Sequence, residues 1–178
     1  MSRHSYLALD LGAESGRAIL GTLENGRLAL REVHRFPNGP LARDGRLHWD
    51  APALFDEIRR GIARAASAAG DPIACLAVDT WGVDFGLIDE AGELVALPFA
   101  YRDLRNVGAM AGFLNGFPRD RVYDITGIQF LPFNSIFQLH ALAEHDPVLL
   151  DRAADLLFMP DLFTYLLTGT RLNEATIS

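Results

Sequence analysis

The hydrophobic pattern of the first fifty residues is that of strands. Tyr6-Leu7-Ala8-Leu9 and Ala18-Ile19-Leu20-Gly21-Thr22-Leu23 are apolar runs of strand length, and alternation resumes from Leu28 to Phe36. Asn25-Gly26 between the last two is a hairpin signal, so three consecutive antiparallel strands are predicted. A loop through Pro37-Asn38-Gly39-Pro40 leads to a short extended piece at Leu47–Trp49. Helical spacing then takes over at Leu54, Phe55, Ile58, Ile62, Ala65, Ala66 and Ala69, with Asp50 as N-cap, Pro52 in the first turn and Gly70 as the stop. Ile73 to Val78 reads as a strand buried on both faces, which makes the lone Cys75 a buried small hydrophobe. Phe85–Ile88, followed by the turn Asp89–Gly92, extends that sheet or pairs with Leu94–Leu97. Beyond Asp103 the pattern turns helical over 104–114, 119–125, 135–144 and 147–154. One more strand at Leu156–Met159 and a helix from Pro160 to Leu167, closed by Gly169, complete the order.

Chemistry concentrates first at the turn between the opening strands, Asp10-Leu11-Gly12-Ala13-Glu14-Ser15-Gly16-Arg17. Gly12 and Gly16 offer positive φ and close backbone approach, Ser15 a hydroxyl, and Arg17 a fixed cation. Successive N–H groups in such a turn can form an anion-binding nest, and Asp10 is placed to hold hydrated Mg²⁺ against bound phosphates. The segment points to ATP. It is neither a Walker A loop, lacking Gly-Lys-Ser/Thr, nor a dinucleotide fingerprint, because a strand follows it.

Composition narrows the field. The 178 residues suffice for one well-buried domain, 49% of them are hydrophobic, and both charge signs are interspersed. A net charge of −7 argues against a nucleic-acid or anionic-membrane partner. The amino terminus has no cationic stretch followed by an apolar core, no apolar run reaches membrane-span length, and a single cysteine forms no internal disulfide, so a cytoplasmic protein is expected. Five histidines without metal-ligand spacing, and no paired cysteines, speak against zinc.

A second constellation, Asp79-Thr80-Trp81-Gly82-Val83-Asp84-Phe85, follows directly on the strand ending at Val78. Ligands of α/β sheets bind beyond the carboxyl ends of strands, and carboxylates with an indole suit a polyol. The element order is that of the ribonuclease-H-like, actin-like ATPase fold. The chain resembles the amino-terminal part of the glycerol-kinase-type (FGGY) carbohydrate kinases. The resemblance rests on residues 8–13 with 15–17, 31–36, 79–85, 97–98 with 101–103, Gly127-Ile128-Gln129-Phe130-Leu131-Pro132-Phe133-Asn134, and Met159-Pro160-Asp161-Leu162. It implies the first lobe of a two-lobe sugar kinase that transfers phosphate from ATP, with Mg²⁺, to a ketose. The narrower strings at 80–84 and 127–134 point to L-rhamnulose.

By that resemblance Ala13, Glu14, Ser15, Gly16 and Arg17 line the ATP phosphates and Gly82 contacts the ketose. Asp84 and Gln129 are added as sugar-side candidates. Glu14 departs from the small hydroxyl residue expected there; beside triphosphate its charge would cost about 1 kcal/mol even when screened, unless it turns to water. The resemblance also places the catalytic base, an aspartate, and the second lobe beyond residue 178. This piece by itself is then expected to be an inactive fragment.

Overall fold

The computed structural model of the protein describes residues 3–177. Three long strands open the chain: β1 (Arg3–Leu11), β2 (Ser15–Glu24) and β3 (Arg27–Pro37), antiparallel as the alternation predicted. Asn25 and Gly26 both take left-handed backbone, φ 52° and 75°, the geometry a two-residue hairpin with right-handed strand twist requires. A small hairpin of β4 (Leu41–Arg43) and β5 (Arg46–His48) follows, and β5 accounts for the extended piece before Trp49.

Helix α1 (Ala51–Ala68) starts where Asp50 accepts the Ala53 N–H, with proline in its first turn. It lays Leu54, Ile58 and Ala65 on the sheet face formed by Leu7, Leu9, Leu11, Ala18 and Phe36. Contact is close at Gly61, where a Cβ would stand 2.9 Å from that of Ala18. A part-buried His34–Glu57 bond of 2.6 Å pins the helix to β3.

Strand β6 (Ile73–Thr80) returns parallel to β1, giving the sheet order β3-β2-β1-β6. It departs from expectation. β6 is the sheet edge, and only one of its faces is covered, so Cys75 is exposed beside Tyr6 rather than buried. The uncovered face carries Tyr6, Leu28 and Leu30, all exposed. A short apolar run cannot distinguish a central strand from an edge strand.

β7 (Phe85–Ile88) does not extend this sheet but pairs antiparallel with β8 (Asp155–Phe158) in a sheet of its own, bridged also to Leu94. The helix expected over 104–114 is split into a single 3-10 turn (Leu104–Asn106) and α2 (Ala109–Gly116), because Gly108 adopts φ 84°. α3 (Arg119–Thr126), α4 (Ser135–His145), α5 (Pro147–Asp151) and α6 (Met159–Thr168) lie close to their predicted spans. α6 packs against β6 and sends Leu162 and Phe163 into the α1 core, while α4 buries Phe137, Gln138, Ala141 and Leu142. Among the described residues no helix is long and apolar enough to cross a membrane.

Candidate functional site

The phosphate-loop candidate is the turn joining β1 to β2. Gly12 N–H donates to the Ser15 carbonyl at 2.9 Å, and Leu11 pairs with Gly16 below it. Neither Gly12 nor Gly16 takes the positive φ expected of them; both are needed for space. A Cβ on Gly16 would lie 2.2 Å from the Phe36 ring, and one on Gly12 would lie 3.2 Å from the Ser15 carbonyl oxygen. Ala13 and Ser15 are half-buried, Gly16 is buried, and Arg17 and Glu14 are exposed, so the Glu14 carboxylate is free to turn to water.

Asn38 holds this tip from β3's end. Its side-chain amide donates to the Gly12 carbonyl at 2.8 Å, and its backbone N–H donates to the Glu14 carbonyl at 2.9 Å. The sequence reading placed Asn38 in a loop and missed it; the partners lie 24 and 26 residues away, joined only by the β2–β3 pairing. Asn38→Ala leaves the backbone bond and removes the side-chain one. Amide exchange at residues 12–16 is expected to speed up about fivefold, with about 1 kcal/mol lost from global stability. Unchanged exchange at Gly12 would contradict this role.

Arg17 pairs with Asp10 across the strands, its Nε and Nη2 both 2.7 Å from Asp10 Oδ2. Asp10 stands in register with Asp79 on the parallel strand β6. Among the described residues no group of three or more His, Cys, Asp or Glu side chains could hold a metal ion unaided. A donor set of one or two carboxylates fits Mg²⁺, which keeps waters and takes phosphate oxygens, and does not fit an all-protein metal cage.

The second loop begins one residue beyond the β1–β6 pairing. Leu11 is opposite Thr80, and Trp81 N–H donates to the Leu11 carbonyl at 3.1 Å. The two candidate loops thus leave neighbouring parallel strands at the same end of the sheet. Gly82 is exposed, with open space where a side chain would stand. Trp81 packs against the fully buried Trp49 with ring centroids 4.2 Å apart and planes tilted by 41°, and Tyr101 lies 6.4 Å from Trp49 and 5.6 Å from Phe133.

Asp84 is 1% exposed, and its carboxylate meets protein donors. Oδ2 accepts from Trp49 Nε1 at 2.5 Å, Trp81 Nε1 at 3.0 Å and Tyr101 N–H at 3.2 Å; Oδ1 accepts from Gln138 Nε2 at 2.9 Å. Burial pushes its pKa above the ordinary aspartate value, and the bonds from Gln138, the two indoles and Tyr101 pull the other way. Gln129 is exposed in the loop before α4, where its carbonyl accepts from Asn134 and its neighbours are Arg119, Tyr123 and Phe130. The cleft they form does not include Gly82. Trp49, Gln138 and Arg105, which the sequence reading did not single out, build the floor of the loop.

Residues 5–178 match the sequence model of the FGGY family of carbohydrate kinases, N-terminal domain. The chain belongs to the FGGY carbohydrate kinases. It is 44% identical over 176 residues to a rhamnulokinase of Bacteroides thetaiotaomicron, covering 99% of this chain and 36% of that protein. It is 42% identical over 170 residues to a rhamnulokinase of Halalkalibacterium halodurans, covering 96% and 36%. The chain therefore spans about a third of the length of these relatives. Its fold is close to a gluconate kinase of Lactobacillus acidophilus, with TM-score 0.82 at 17% identity over 99% of this chain and 35% of that one. A xylulose kinase of Rhodospirillum rubrum gives TM-score 0.82 at 20% identity, covering 96% and 36%. The mixed α/β architecture is accordingly the actin-like ATPase fold of FGGY sugar kinases, as the element order had indicated.

Proposed function

We propose that this chain is the first lobe of an ATP-dependent ketose kinase that converts L-rhamnulose to L-rhamnulose 1-phosphate. The observation that carries the reading is the Trp81–Leu11 bond, which places the glycine-rich hairpin and the indole-bearing loop edge to edge. Phosphoryl transfer needs the donor phosphates and the acceptor hydroxyl held side by side, and little covalent chemistry from the protein. The rhamnulokinase names of two relatives above 40% identity support the choice of sugar.

In this reading Ala13, Glu14, Ser15, Gly16 and Arg17 line the ATP phosphates, the backbone N–H groups of the tip donating to phosphate oxygens. Asp10 would hold Mg²⁺, and Arg17, paired with Asp10 in the structure, would supply positive charge to the phosphates. Mg²⁺ would neutralise charge on the transferring group. The Trp81 indole packs against the C–H face of the ketose, the Gly82 backbone approaches it without a side chain in the way, and Asp84 fixes the indole. Gln129 is the further sugar-side residue, carried by the loop that Asn134 closes. The proton of the attacking hydroxyl passes to a carboxylate outside these residues, so the chain by itself turns over no sugar.

The experiment is sugar-dependent ADP release with Mg²⁺-ATP over L-rhamnulose, L-fuculose, D-xylulose, L-ribulose and glycerol. It is run on the 178-residue chain and on the longer polypeptide that carries a second lobe. Release stimulated by L-rhamnulose in the long form alone is the expected result. Preference for another ketose would move the substrate within the family. ATP binding without stimulation by any sugar would make the chain a non-catalytic sugar- or nucleotide-binding module.

A further inference from the structure

Val83 is held with φ at +70°, left-handed backbone that a β-branched residue rarely adopts. It lies between Gly82 and Asp84, and its carbonyl accepts two side-chain bonds from α4: Ser135 Oγ at 2.8 Å and Gln138 Nε2 at 3.1 Å. Backbone strain persists where the surroundings over-determine it. Here the surroundings are two side chains of α4, the Ser135 hydroxyl and the buried Gln138 amide.

Gln138 is 1% exposed. Its Nε2 faces three acceptors, Val83 O, Asp84 Oδ1 at 2.9 Å and Phe133 O at 2.9 Å, while its Oε1 accepts from Arg105 Nη2 at 3.3 Å. Turned round, the amide would set its oxygen against three oxygens and its NH₂ against a guanidinium, so one orientation is fixed. Arg105 is itself immobilised, 4% exposed, with its guanidinium 4.0 Å over the Phe99 ring and its backbone N–H capped by Asp103.

We propose that Gln138 is the positioning residue of the 81–84 loop. It clamps the Val83 peptide in the left-handed turn, seats the carboxylate that orients Trp81, and ties both to the end of the 127–134 loop, so that Gly82 and the indole are preformed for a ligand. Ser135 assists at the same carbonyl. Only the identity of the ligand rests on the ketose reading; the hold on the loop stands on the hydrogen bonds.

The test compares wild type, Gln138→Leu, and Gln138→Leu combined with Val83→Gly, since glycine adopts the turn without being held. Near-ultraviolet circular dichroism of the contacting Trp49–Trp81 pair reports loop geometry, and L-rhamnulose and Mg²⁺-ATP affinities are measured beside it. Gln138→Leu is expected to halve the tryptophan dichroism and weaken the ketose about tenfold, with ATP changed less than about twofold. Val83→Gly in that background recovers both to within about threefold. Unchanged dichroism, equal loss of ketose and ATP, or no recovery by Val83→Gly would overturn the proposal. Should wild type bind no ketose, the substrate reading falls, and recovery of the dichroism decides the positioning role. Should Gln138→Leu not fold, Ser135→Ala takes its place, with a loss of about threefold that Ser135→Thr restores.

Discussion

Asp84→Ala is expected to lower folding stability by about 3 kcal/mol, because it strands three donors rather than removing one contact. Trp49 Nε1 is the decisive one: the indole is fully buried and has Asp84 Oδ2 as its acceptor. Gln138 Nε2 keeps its carbonyl acceptors, but the Trp81 indole loses its partner and with it a fixed orientation. Asp84→Asn keeps one oxygen for the two indoles and Tyr101 while turning an NH₂ toward Gln138. Its loss is accordingly about half as large. Urea unfolding followed by tryptophan fluorescence measures both, since the only two tryptophans meet at this carboxylate. A change below about 1 kcal/mol for Asp84→Ala would show that the carboxylate does not organise the loop.

Gly16→Ala carries the second large effect, and its cause is steric. The added methyl would stand 2.2 Å from the Phe36 ring, and Phe36 is itself buried in the α1 core at 4% exposure. The ring cannot swing to solvent without opening that core, so about 2–3 kcal/mol is lost and the melting temperature falls by roughly 5–10 °C. Trimming the neighbour tests the reason: in Gly16→Ala/Phe36→Leu the two changes cost less together than the sum of the single variants. Additive losses would place the damage in the glycine's backbone instead. Because Gly16 also sits in the hairpin tip, the single variant is expected to weaken nucleotide binding as well.

These effects follow from how the chain brings distant segments together, and that is also where reading the sequence reached its limit. β1 to β3, their Asn25-Gly26 turn and the Asp50 cap of α1 are local matters of period and turn chemistry, and they are visible in consecutive residues. The strings at the 12–17 hairpin and at the Trp81 loop were visible for the same reason. Burial of Cys75 was misjudged because edge and central strands share one apolar pattern. Gly108 broke a helix that its flanking apolar residues support. Asn38, Trp49, Arg105 and Gln138 carry no motif. Their roles arise from pairings across 26 to 55 residues, such as Asn38 to Gly12, Trp49 to Asp84 and Gln138 to Val83. Asp84 was singled out as a sugar-side carboxylate, but the structure buries it against four protein donors that no local pattern indicates.

We expect the hairpin at 12–17 and the loop at 81–84 to form one bipartite site for nucleotide and ketose. ¹H–¹⁵N correlation spectra of the 178-residue chain, titrated first with Mg²⁺-ATP and then with L-rhamnulose, test it most directly. Nucleotide is expected to shift the amides of residues 12–17, and ketose then to shift Gly82, Val83 and the Trp81 indole N–H. Shifts confined to other faces of the molecule, or ketose shifts that leave the Trp81 indole unmoved, would contradict it.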